Sequence, residues 1–224
     1  MNKIKENKII QVLLLVFSTL SGPAYAGATD TAALAFFSPD YQAARSKFLA
    51  AADARGLQAT GYRLPETGPD GRDLFLDVVR IGPLPARTVL VIASGMHGVE
   101  GFAGSAIQTG LLQQDVLSGL PPDTAVLLLH AVNPYGFAHG RRANENNVDL
   151  NRNFIEHALT VLENPGYDEL AEAIAPRTLS TWSNFKARVH LLWYRLINGR
   201  QALQRAISSG LYSHPDGLFF GGNK

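Results

Sequence analysis

Hydrophobic residues in the first half of the chain fall into blocks that alternate between helix and strand spacing. "SPDYQAARSKFLAAADARG" carries Ser38 as an N-cap, Pro39 at the first helical position and Gly56 as terminator, so a helix is expected between them. "DLFLDVVRI" (73–81) and "RTVLVIAS" (87–94) come next as strands. The second is an uninterrupted apolar run, the pattern of a strand buried on both faces in a parallel sheet. A helix is expected from Gly101 to about Gln114, and "TAVLLLHAVN" (124–133) as a third buried strand. Strand, helix and strand in that order predict an α/β layer fold, with candidate chemistry at the strand ends.

From Ile155 to Gly210 the pattern changes. "GYDELAEAIA" and "TLSTWSNFKARVHLLWYRLINGRQALQRAISSG" have helical spacing, with Gly210 as C-cap and no strand. The final "LYSHPDGLFFGGNK" is rich in turn formers and aromatics. Because sheets average about five or six strands, three strands by residue 133 make the expected fold an incomplete one, the N-terminal portion of a larger domain.

Composition narrows the class. With 46% hydrophobic and 17% charged among 224 residues, the chain fits one ordinary globular domain. Its start is different: basic "MNKIKENK", apolar "IIQVLLLVFSTL" and the small-x-small end Ala24-Tyr25-Ala26 predict a signal peptide over residues 1–26, leaving 27–224 as the domain portion. The apolar run is shorter than the roughly 20 residues that span a bilayer. Export to the periplasm or medium is therefore expected, with no stable membrane anchor after cleavage. Loss of Lys3, Lys5, Lys8 and Glu6 removes a net +2 and takes the formal charge from +1 to −1. No basic patch argues for nucleic acid. The absence of cysteine excludes disulfides and thiolate chemistry. "LPETG" (64–68) matches a sorting signal, but its place ahead of a strand and its "PETGPDG" context make it a proline-glycine loop.

Two stretches carry candidate chemistry. In "GMHGVEG", His97 and Glu100 stand at i and i+3, so in one turn their side chains project the same way and can share a cation. An imidazole nitrogen and a carboxylate oxygen are good Zn2+ ligands, and catalytic sites usually add a third protein ligand and a water. The second stretch, "HAVNPYGFAHGRRANENNVDLNRNF" (130–154), crowds arginines and asparagines into a loop after a buried strand. Arg141, Arg142 and Arg152 suit bidentate contacts to a carboxylate, and Asn144 or Asn151 can donate to the same group. In the closing "DLNRNF", polar and apolar residues interleave as in a segment being buried again. G-x-S-x-G does not occur, which gives a nucleophile-elbow hydrolase no support.

"GMHGVEG" followed by "NPYGF…RRANENNVDLNRNF" resembles the zinc carboxypeptidase superfamily, carboxypeptidase A-like, in its secreted bacterial branch. Aspartoacylase and desuccinylase deacylases carry similar strand-end motifs. The resemblance implies a three-layer α/β fold with a mixed, mostly parallel sheet, and a Zn2+ cofactor. It implies His97 and Glu100 as the first two zinc ligands and Asn151 and Arg152 as holders of the substrate carboxylate. Arg142, with Arg141 as alternate, is implied at the oxyanion. The implied substrate is a peptide or N-acyl amino acid with a free carboxylate. The pattern also needs a histidine ligand from a later strand and a glutamate general base, and neither is recognisable here. His214 is the only late loop histidine; His190 is mid-helix and expected in packing, and His130, His139 and His157 have no pairing that recommends them. Three functions are open on these residues: a zinc carboxypeptidase-type hydrolase, a truncated relative that binds zinc or carboxylates without turnover, and an amide deacylase.

Overall fold

The computed structural model describes residues 33–114, 116–156 and 163–223. Residues 1–26, the expected signal peptide, and His157 lie outside them. The chain divides into two units, Met1–Ala35 and Phe36–Lys224, and the sheet and its helices belong to the second.

Helix α1 (Tyr41–Asp53) starts two residues later than the sequence suggests. Its N-cap is Asp40, not Ser38: the Asp40 carboxylate accepts the Ala43 N–H at 2.8 Å. A carboxylate satisfies an orphan helix donor and also faces the positive end of the dipole. Gly56 ends the segment as expected, at φ 65°.

Strand β1 (Ala59–Thr67) has no counterpart among the expected elements, and it corrects the loop reading of "LPETG": Leu64 to Thr67 end the strand and only Gly68 enters the turn. β1 pairs antiparallel with β2 (Asp73–Ile81), and β2 pairs antiparallel with β4 (Thr124–His130). β3 (Thr88–Ala93) pairs parallel with β4, giving the order β1-β2-β4-β3. The sheet is mixed as expected, but only the β3–β4 pairing is parallel. The short parallel crossover between β3 and β4 is α2 (Gly101–Gln113).

β3 also overturns the expectation of a strand buried on both faces. It is an edge strand, and Val89, Leu90 and Val91 are 45–54% exposed. The core lies instead between α1, α2 and the central strands, where Phe48, Ala51 and Leu112 meet Val79, Ile81, Val126 and Leu128. Two polar ties fix α1 to β2: Arg45 grips the buried Asp77 carboxylate at 2.7 and 2.9 Å, and the Tyr41 hydroxyl bonds both the N–H and the carbonyl of Phe75.

The remaining named elements are helical: α3 (Pro134–Ala138), a 3-10 turn (Leu150–Arg152), α4 (Pro165–Ile174), α5 (Thr181–Asn198) and α6 (Arg200–Ser208), followed by an isolated bridge between Leu211 and Phe220. The last three pack on one another around Leu170, Tyr194 and Ala206. Among the described residues no helix is long and apolar enough to cross a membrane.

Candidate functional site

The end of β3 runs into a glycine turn that is pressed against the start of α3. Gly95 sits at φ 66°, and a Cβ on Gly98 would lie 1.8 Å from the Gly136 carbonyl oxygen, so no other residue fits there. Backbone therefore touches backbone, and the Gly98 N–H donates to the Arg141 carbonyl at 2.9 Å. Buried Asn133 ties the same loops together. Its amide accepts from the Gly136 N–H at 2.7 Å and donates to the Met96 and Arg142 carbonyls at 3.4 and 3.3 Å.

This packing brings His97 and Arg142 onto one carboxylate, Asp149, which is 1% exposed, with Glu100 on the other nitrogen of the His97 ring. Oδ1 of Asp149 contacts Nε2 of His97 at 3.1 Å and accepts the Asn151 N–H at 3.0 Å, while Oδ2 accepts from Nε of Arg142 at 2.8 Å. Burial alone would raise the Asp149 carboxyl, but the hydrogen bonds and charges of Arg142 and His97 outweigh it and hold the group below the usual carboxylate range. An ionised Asp149 calls for a proton on Nε2. The Nδ1 lone pair then faces Oε2 of Glu100 at 2.9 Å.

Two electron pairs aimed at each other need a positive charge between them: a second proton on the ring, or a cation. One zinc ion takes nitrogen and oxygen donors at about 2.0–2.2 Å, a reach that this pair allows, and the carboxylate behind the histidine is the partner that orients metal-bound imidazoles. The pair therefore fits a metal. No group of three or more metal-binding side chains occurs among the described residues.

Of the other sequence candidates, Arg142 turns its guanidinium over the Phe219 ring, 4.9 Å from the centroid, with Nη1 4.0 Å from Glu100. Arg141 points elsewhere, to Asn147 at 3.3 Å and over Tyr135. Asn151 reaches the cluster through its backbone on Asp149, its own surface being exposed. Arg152 donates to the Asn151 and Ser208 carbonyls, and its guanidinium lies 5.9 Å from the Phe219 centroid. Phe219 thus stands beside both arginines, at a left-handed φ of 62° that bulky residues rarely adopt. A cleft of about 200 Å3 lies here, lined by Arg142, Asn147, Asp149 and Phe219 among others.

The other histidines among the described residues lie away from this cluster. His214 contacts Asp168 at 2.9 Å, and His139 contacts the Thr67 carbonyl and stacks on Tyr135. His190 lines a groove with Glu172 and Arg177. His130 is buried, stacked on Phe48 and bonded to Ser105 at 2.8 Å. Sequence reasoning misses Asp149, Asn133 and Phe219. The return of apolar residues around "VDLNRN" is the one signal that Asp149 would be buried.

A family model described as "Protein of unknown function (DUF2817)" matches residues 37–224. No curated protein matches the chain. Among solved structures, carboxypeptidase A from Helicoverpa armigera is similar at 18% identity and TM-score 0.40, over 68% of this chain and 41% of that one. A Zn-dependent exopeptidase from Parabacteroides distasonis is similar at 12% and 0.34, over 66% and 54%. Fimbriiglobus ruber glutaminyl cyclase is similar at 12% and 0.33, over 44% and 41%. The chain spans less than two thirds of each of these structures.

Proposed function

This chain belongs to the DUF2817 family, and for it we propose metal-dependent hydrolysis of an amide bond beside a free carboxylate, of the carboxypeptidase type. One observation carries the reading: His97 is held at Nε2 by buried Asp149, so that Nδ1 and Glu100 converge at 2.9 Å. His97 and Glu100 would hold a zinc ion, which when bound supplies a Lewis acid and a water with its pKa lowered toward about 7.

The chain's own residues orient the donor pair and the substrate. Asp149 fixes the ring and its tautomer, and it also anchors Nε of Arg142, leaving the Nη edge of that guanidinium for an oxygen that gains charge during the reaction. Arg152 and Asn151 are the proposed holders of the substrate carboxylate, Arg152 by exchanging the Ser208 carbonyl for the ligand. Phe219 lines the cleft and presents its ring to both guanidiniums, at 4.9 and 5.9 Å.

Calorimetric zinc titration of the full chain tests this. His97→Ala and Glu100→Ala should each abolish measurable binding, and Asp149→Asn should weaken it by about 10- to 100-fold. Zinc affinity unchanged in the first two variants would refute the assignment. Zinc-loaded protein should then release the terminal residue from blocked dipeptides. Cleavage of N-acyl amino acids alone would make it a deacylase, and binding with no turnover would make it a binding site only.

A further inference from the structure

Helix α5 turns one face inward and leaves another uncovered. Ser180 opens it with a capping box, and Tyr194 packs inward against Leu170 and Ala206. On the opposite side Trp182, Phe185, Val189, Leu192, Trp193 and Leu196 recur at helical spacing, and all six are exposed, the two tryptophans by 64% and 62%. These are the only two tryptophans in the chain.

Charge along the helix is one-sided. Lys186, Arg188 and Arg195 are its charged side chains, with no aspartate or glutamate between Thr181 and Asn198. At 100° per residue Arg188 and Arg195 flank one border of the apolar face and Lys186 the other. None of the three is in an ion pair among the described residues. Lys186 is exposed, its ammonium over the Trp182 ring, 5.3 Å from the centroid. The helix is too polar to span a bilayer. An aromatic and leucine face bordered by cations is the composition of a helix that lies in the plane of a membrane interface.

We propose that α5 docks this protein on an anionic lipid bilayer, the tryptophan and leucine face in the headgroup layer and the three cations on lipid phosphates. The contact is peripheral and reversible. Charge decides against a second copy as the occupant. Two such helices paired face to face would set cations on both borders with no carboxylate on either helix to answer them.

Tryptophan emission reports on this face alone, which makes the test direct. The full chain is titrated with vesicles of phosphatidylglycerol and phosphatidylcholine, and with phosphatidylcholine alone. Emission should shift to the blue and the protein should float with the anionic vesicles only, the effect falling as salt rises. The combined variant Lys186→Gln, Arg188→Gln, Arg195→Gln should bind about a hundredfold more weakly. Its far-UV circular dichroism should be unchanged, because all three residues are exposed. Absence of flotation, equal binding to neutral vesicles, or unaltered binding by the variant would each overturn the proposal. So would emission already blue-shifted without lipid, which would mean that the face is covered by protein.

Discussion

His130 is the residue whose environment makes the sharpest claim about stability. It is fully buried at the end of β4, with Phe48 stacked on its ring, Ser105 on Nε2 and no partner on Nδ1. Burial pushes its pKa down to about 4, against a small opposing pull from Asp77. Because the unfolded chain binds that proton near pH 6.5, the neutral ring contributes stability that is full above about pH 6.5 and is lost as pH falls toward 4. Urea unfolding should therefore cost about 2 kcal/mol less at pH 5 than at pH 7 through this group. The His130→Gln variant should lack that share of the pH dependence. An equal slope in both proteins would show that His130 does not stay neutral in the fold. At the same scale, the donor pair is legible in sequence because His97 and Glu100 share one turn. Asp149 is not, since it meets His97 across 52 positions of sequence and no local spacing announces such a contact.

At the scale of elements, the cap of α1 separates two readings of the same stretch. Asp40→Ala removes the side chain that accepts the Ala43 N–H and should cost about 1 kcal/mol in chemical denaturation, while Ser38→Ala should cost much less. The reverse ranking would restore Ser38 as the cap. The strands β2 and β4 are legible with nearly their full bounds because one face of each is committed to the core. β1 is hidden: its residues are mostly exposed, so "ATGYRLPET" carries no alternation of apolar and polar positions, and its proline and glycine suggest a loop. β3 is legible as a strand but not as an edge, because an unbroken apolar run signals burial in sequence and this one ends at the border of the sheet. Helices α4 to α6 are legible as helices, and their packing on one another is not.

For the molecule as a whole, that edge governs behaviour in solution. Among the described residues β3 pairs with β4 alone, which leaves backbone donors and acceptors on its other side, and it exposes Val89, Leu90 and Val91 across both faces. Purified chain spanning residues 27–224 should associate as its concentration rises, seen as growth in scattered mass. Val91→Lys should suppress this, since an edge charge opposes strand-to-strand pairing. A monomer at high concentration that unfolds cooperatively would show the edge to be protected. At the other end of β3, the bare contact of Gly98 on Gly136 bears on opening rates. With no side chain between the two backbones, the turn cannot part from α3 by a change of rotamer. It parts only when the Gly98–Arg141 bond and the bonds of Asn133 break together, so the donor pair and Arg142 open as one cooperative unit, and amide exchange at Gly98 and Gly136 should follow a single opening free energy.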